Sequence, residues 1–336
     1  MAVVKANAYG HGLVKVASIL ANADGLAVAR LSEARRLRDA GISMPLILLE
    51  GVFSAPDLEE ALSLGLDLSI HDEHQLRQLE KCSEPVPMVW IKADTGMHRL
   101  GFHANEIGRA VDRVARCAER LGLMTQLACA DEVDDPMTPQ QLETFLRLAE
   151  GFDGDLSIAN SPGLLAWADE LERLSGSHGR NRLWIRPGLS LYGISPFAGR
   201  TGKDFGLQPA MCFEASLASV KRINAGSRVG YGGTWSARHE TVLGIVSAGY
   251  GDGYSRHIPS GTPVIVNGRR VPVAGRVSMD LMAVDLGPDA SDAVGDTVLL
   301  WGEGLPVEEV AAHAGTIPYD LVTGVMHRES PVYEDS

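Results

Sequence analysis

The sequence predicts an α/β fold: an N-terminal (β/α)8 TIM-like barrel followed by a mostly antiparallel β domain. Three observations carry that expectation. Eight short apolar runs alternate with amphipathic stretches over the first 190 residues, roughly the count that closes a parallel barrel. No G-x-G-x-x-G turn follows the first run, which counts against a doubly wound dinucleotide sheet, the competing architecture. After about residue 205 the helical period disappears, and short apolar runs are separated by Gly, Pro, Asn and Asp. The boundary is placed between a barrel over 1–206 and a β domain over 207–336.

In chain order the strand runs are AVVK (2–5), GLAVA (25–29), PLILLE (45–50), LDLSI (66–70), PMVWIKAD (87–94), LMTQLACA (123–130), LSIAN (156–160) and LWIRP (183–187). Helical patterns cover 31–41, 73–82, 105–122 and 139–151. In the last, Leu142, Phe145, Leu146 and Ala149 recur at the spacing of one buried helix face. In the second half, FEASLASVKRI, TVLGIVSAG, TPVIVNGRRVPVAG, LMAVDLG and DTVLLWG read as antiparallel strands. Asn267-Gly268 is the strongest hairpin signal, because both residues tolerate the positive φ of a type I′ turn. No helix pattern follows the eighth run before the β domain, so the seam between strands 8 and 1 lacks an obvious cover.

The 336 residues carry 30 Lys+Arg against 43 Asp+Glu, a net charge of −13. That balance argues against nucleic acid or an anionic membrane surface as partner, since both are bound through excess Lys and Arg. No apolar stretch is long enough to span a bilayer, and the first residues lack a signal-peptide core. The four cysteines, Cys82, Cys117, Cys129 and Cys212, form no C-x-x-C pair, so neither a metal site nor a disulfide framework is expected. The expected location is the cytoplasm.

Strand ends in a barrel converge on one mouth, and several here end in polar residues. Lys5 follows the first apolar run, ahead of Ala6-Asn7-Ala8-Tyr9-Gly10-His11-Gly12. It is either a solvated rim lysine or a pocket lysine whose lowered pKa suits Schiff-base chemistry or proton transfer. Lys92, Asp94, His98 and Arg99 follow the fifth run, Asn160 and Ser161 the seventh, and Arg186, Gly188 and Tyr192 surround the end of the eighth. Glycines and hydroxyls after strands 7 and 8 are where a barrel binds phosphate. A lysine, arginines and such a cradle at one mouth fit a pyridoxal phosphate site.

AVVKANAYGHG (2–12) resembles the pyridoxal-lysine signature of alanine racemases. The resemblance continues through IKADTGMHRLGF (91–102), IANSP (158–162), RPGLSLYGISPF (186–197) and VGYGGTW (229–235). It runs on through SAGYGDGY (247–254), GRVSMDLMAVDL (275–286) and GTIPYDL (315–321), in order over nearly the whole chain. It implies a pyridoxal 5′-phosphate enzyme that interconverts L- and D-alanine by two bases and supplies D-alanine for peptidoglycan. It also implies a homodimer with active sites shared between subunits. Lys5 would carry the cofactor and be one base; Tyr231, from the partner, would be the other. Arg186 would face the pyridine nitrogen, and Tyr9, Asn160, Ser161, Gly188, Leu189 and Tyr319 would hold the cofactor and its phosphate. Arg99 would contact cofactor and substrate carboxylate, beside Lys92, which is carbamylated in many relatives. Met279, Asp280 and Tyr250 would line the substrate pocket and its entry.

From the residues alone, Tyr231 reads preferentially as a packing aromatic of the β domain, Met279 equally as core, and the plain reading of Lys92 is a free rim lysine. Gln126 stands where the family usually has His, and Ser278 where several relatives have Cys. The resemblance also implies a strand and a helix ahead of the lysine run, and low stability or activity is the expectation for a chain without them. The alternatives are a broader amino-acid racemase, a barrel decarboxylase (disfavoured by Arg186), and a weakly active or silent pyridoxal phosphate-binding homologue.

Overall fold

The computed structural model describes residues 1–177, 182–326, 328 and 330–334. The chain forms two compact units, one comprising residues 1–8 and 12–191, the other 9–11 and 192–336.

The first unit is an eight-stranded parallel sheet in sequential order: β1 (Ala2–Val3), β2 (Leu26–Val28), β3 (Leu46–Leu48), β4 (Asp67–Ile70), β5 (Val89–Lys92), β6 (Leu121–Met124), β7 (Asp155–Ser157) and β8 (Leu183–Trp184). Its two edges meet, since Met1 N donates to Ile185 O at 2.8 Å and Val3 N to Pro187 O at 3.0 Å. All eight predicted strands are present. Helices between them include Leu31–Asp39, Ala55–Ser63, Glu73–Leu79, Ile107–Val114 and Met137–Ala149. Ser54 and Asp72 cap the second and third of these by accepting from Asp57 N and Gln75 N.

The sequence pattern departs from the structure in three places. Strand β6 is Leu121–Met124, so its start lies inside the pattern taken as helix, and its end falls well short of residue 130. Gly122 explains the first shift. It pairs with Trp90 across β5 and β6, and a Cβ there would lie 2.3 Å from Trp90 Cε3, so the buried indole occupies the space. Thr125 explains the second. Its hydroxyl donates to Ala93 O and meets Thr95 Oγ1, ending the strand in a buried polar network closed by Gln141.

The third departure is at Lys5. Strand β1 stops at Val3, and Ala6, Asn7, Ala8 and Tyr9 all take positive φ, from 53° to 55°, a left-handed helical turn. Such a turn costs L-residues about 1–2 kcal/mol each. Bonds within the first unit brace it: Ala8 N donates to Val4 O, Leu13 N to Asn7 Oδ1, and Ala6 N to Glu33 Oε1 at 2.6 Å. The same Glu33 carboxylate also accepts from the N–H groups of Ala29 and Arg30.

In the second unit, six antiparallel strands are ordered β14-β13-β16-β9-β12-β15. They are β9 (Phe213–Ile223), β12 (Thr241–Val246), β13 (Pro263–Val266), β14 (Arg269–Pro272), β15 (Met282–Gly287) and β16 (Thr297–Trp301). A two-stranded ladder pairs β10 (Arg228–Val229) with β11 (Trp235–Ser236). The β13–β14 hairpin turns at Asn267 (φ 47°) and Gly268 (φ 74°), as the sequence predicts. Helices Val307–Ala314 and Pro318–Thr323 complete the unit. Among the described residues no helix is long and apolar enough to cross a membrane.

Candidate active site

The C-terminal ends of the barrel strands bring four cationic side chains into one electrostatic neighbourhood. Lys92 is the last residue of β5 and is only 9% exposed, so it is a buried group rather than a rim lysine. Burial, followed by the charges of Arg186, Arg99 and Lys5, lowers its pKa from 10.5 to about 8. Lys5 is half-buried, and its pKa is lowered by burial first and then by Arg99. Glu50 pulls both back, joined at Lys5 by Glu33, and the Glu50 carboxylate itself pairs with Arg30 at 2.5 Å. Among the described residues, no ion pair is made by Lys5, Lys92, Arg99 or Arg186.

Arg186 is buried, and its pKa is lowered to about 10 by burial alone. Neutral oxygens hold it: Nη1 donates to Ser157 Oγ, and Nη2 donates to Thr125 O at 2.5 Å and Gln126 Oε1 at 3.3 Å. The Gln126 position, flagged by the sequence, therefore supplies an acceptor to the guanidinium. Next to it, the hydroxyl of Ser161 accepts from Gly188 N at 2.9 Å and Ser190 N at 3.2 Å, which ties the loops after β7 and β8 together with Leu189 between them. Asn160 caps the short helix Ser161–Ala166 by accepting from Gly163 N.

The second unit holds the remaining candidates. Tyr9, Tyr192 and Tyr319 cluster, with the Tyr9 ring 5.0 Å from Tyr192 and 6.0 Å from Tyr319. Burial raises the pKa of Tyr9 and Tyr192, so both are neutral phenols able to donate a hydrogen bond. Tyr231 lies on a turn between β10 and β11 and is 66% exposed, so it is not a packing aromatic. Gly230, Gly232 and Gly233 there take positive φ, and Arg228 pins the turn by donating to the carbonyls of Gly232 and Gly233 at 2.9 Å each. Met279 is 55% exposed, which excludes a core role, and Asp280 pairs with Arg328 at 2.8 Å. Tyr250 is exposed beside them, its N–H donating to Ser278 O.

An unneutralised group of lysines and arginines around a desolvated primary amine is a site for an anion that carries a carbonyl. Pyridoxal phosphate fits that donor set: an aldehyde for the Lys5 amine, negative charge for the cations, and a ring nitrogen for a donor-only guanidinium. The sequence reading missed His71, Thr125, Gln141 and Ser190. His71 had a findable signal, because it follows the fourth apolar run as Lys92 ends the fifth. No group of three or more metal-ligating side chains occurs among the described residues.

Fold and site thus define a barrel enzyme of amine–carbonyl chemistry. Residues 1–196 match the family described as alanine racemase, N-terminal domain, and residues 210–333 the alanine racemase, C-terminal domain. The chain is 51% identical to the alanine racemase of Shewanella woodyi over 98% of its own length and 90% of that protein. It is 48% identical to the alanine racemase of Vibrio cholerae, over 99% and 91%. The crystal structure of the biosynthetic alanine racemase from Pseudomonas aeruginosa superposes with a TM-score of 0.89 at 43% identity, covering 98% of this chain and 90% of that one. The chain belongs to the alanine racemase family.

Proposed function

We propose that this chain is a racemase that interconverts L- and D-alanine, with pyridoxal 5′-phosphate held at the barrel mouth. The observation that carries the reading is the half-buried Lys5 amine in one positive field with Lys92, Arg99 and Arg186, a donor set suited to an anionic aldehyde. When bound, pyridoxal phosphate supplies an electron sink that acidifies the substrate Cα–H bond.

The chain's own residues do the rest. Lys5 would hold the cofactor's carbonyl group, and its free amine would take or return the proton on one face of Cα. Tyr231 from the partner copy in a homodimer handles the opposite face through its phenol oxygen, and inversion follows because the proton leaves one face and arrives on the other. The exposure of Tyr231 in a single chain supports that assignment. Arg186 can only donate, so it would face the ring nitrogen as a donor and favour its unprotonated form, keeping the electron sink mild. Arg99 steadies the substrate carboxylate, with Lys92, as a carbamate, orienting it. Tyr9, Tyr319, Asn160, Ser161 and the backbone of Gly188 and Leu189 hold the phosphate. Met279, Asp280 and Tyr250 shape the entry. The cellular role is cytoplasmic supply of D-alanine for peptidoglycan.

The test is α-deuterium exchange into L- and D-alanine in D2O, with added pyridoxal phosphate and Tyr231→Phe as control. Exchange with inversion in the native chain, lost in the control, is the expected result. Cofactor binding without exchange would mean a silent binding protein instead.

A further inference from the structure

In β4 and β5, Ser69 pairs with Trp90 and Ile70 with Ile91, so His71 follows β4 at the level of Lys92. Side chains alternate along a strand, which puts His71 on the face of Ser69 and Lys92 on the face of Trp90. That face is the barrel interior, because Trp90 fills the space over Gly122 and Ser69 Oγ points at Met124 Sδ, 3.9 Å away. His71 and Lys92 are therefore neighbours in the uppermost interior layer.

The His71 ring is only 8% exposed. Its backbone N–H donates to Gln75 Oε1 at 2.9 Å, and its Nδ1 lies 3.6 Å from Asp72 Oδ2. A carboxylate on that side favours the tautomer with hydrogen on Nδ1, leaving Nε2 as a lone-pair acceptor. Nε2 is buried and has no partner among the described residues. A buried acceptor left unpaired is destabilising, so the position calls for a partner. Burial lowers the His71 pKa, and the Lys92 charge lowers it further, against the pull of Asp72 and of the Glu50 backbone and carboxylate.

We propose that His71 is a positioning residue for Lys92: its Nε2 accepts the proton released when the Lys92 amine adds to carbon dioxide, and the Nε2–H then donates a hydrogen bond to the new carbamate oxygen. The inference rests on the carbamate reading of Lys92 given above. In the step, the Nζ lone pair forms the N–C bond while one C–O π bond breaks and its electron pair becomes the carboxylate charge. One proton passes from Nζ to Nε2, and the imidazolium later gives up its Nδ1 proton to water on the side of the half-exposed Asp72. Lysine charge is exchanged for a carboxylate among Lys5, Arg99 and Arg186, so the field that opposes an ammonium at this position favours the product.

The experiment follows the carbamate carbon by 13C NMR after adding 13C-bicarbonate to the holoenzyme, its His71→Leu and His71→Gln variants, and Lys92→Met as the blank. In the native protein a carbamate resonance absent from the blank is expected. In both His71 variants it should build up at least about tenfold more slowly, the scale of a lost general base. His71→Gln, which keeps a hydrogen-bonding amide, should still approach native final intensity. Native build-up rates in either folded variant would overturn the role of His71 alone. No carbamate resonance in the native protein would overturn the Lys92 reading and this inference together.

Discussion

The barrel mouth and the tyrosine-bearing face of the β unit place chemistry in opposite ways. At the mouth, Lys92 and Arg186 are buried and oriented by strand register and by a polar network that includes Thr125 and Ser157. On the β unit, Tyr231, Met279 and Asp280 stand in water on loops fixed mainly by backbone bonds and by Arg228. The first arrangement is complete within one chain, and its cost is electrostatic. The second is inexpensive in the single chain and gains value only when something covers it. Substitutions at the mouth should therefore disturb folding and chemistry together, whereas those on the exposed face should separate them.

The largest effect is expected for Lys5→Ala, which removes both the cofactor's amine and one base. Exchange from either enantiomer should fall by roughly 10³-fold or more, and retention of even a tenth of native exchange would place the chemistry elsewhere. Tyr231→Phe comes next, with inversion down by about 10²–10⁴-fold. Its unfolding free energy should stay within about 0.5 kcal/mol of native, since the ring is solvated. Loss of stability comparable to the loss of activity, read by urea titration, would erase the contrast between the two regions.

Arg186→Leu should cost about 1–3 kcal/mol by leaving Ser157 Oγ and Thr125 O without their donor. With carbon dioxide excluded, so that the amine is free, it should also let the Lys92 pKa climb from about 8 toward its ordinary value, because Arg186 is the strongest of the charges that depress it. An NMR titration of the lysine side chain reads the shift, and an unchanged midpoint would detach the two groups.

The smallest signal is a slope. The depressed Lys92 pKa means that between about pH 8 and 10.5 the unfolded chain binds a proton that the folded chain does not. Lys92 therefore opposes folding fully below about pH 8, and that opposition is relieved as pH rises through the window. With carbon dioxide excluded, so that the Lys92 amine is free, denaturation midpoints should improve relative to Lys92→Met over that range. Parallel curves would show that the pKa of the free amine is not depressed.

The two regions also differed in how much the sequence disclosed. All eight barrel strands announce themselves, because a strand buried on both faces has to be a continuous apolar run, and the polar residues that end those runs mark the mouth. Gly122 misleads, since a glycine at the end of an amphipathic stretch looks like a helix terminus. Its reason, the Trp90 ring lying over it, is a contact between strands that no local pattern carries. Gln141 is silent for the same reason, since its partners come from helix packing, whereas His71 is marked by its place after the fourth apolar run but its partners are set by register. On the β unit, the strands and the Asn267-Gly268 turn are local and legible. The meaning of an exposed Tyr231 came only through family resemblance, since solvent exposure leaves no periodic trace.

The turn after β1 adds a point about handedness. From Ala6 to Tyr9 the backbone is close to the mirror image of an ordinary helical turn, so each L-residue there occupies a conformation that its own enantiomer would adopt without strain. At the exposed Ala6, a D-alanine would fit the local path better than the encoded residue does. A chain whose family erases the difference between L- and D-alanine thus contains, next to Lys5, a segment where that difference is felt in its own backbone.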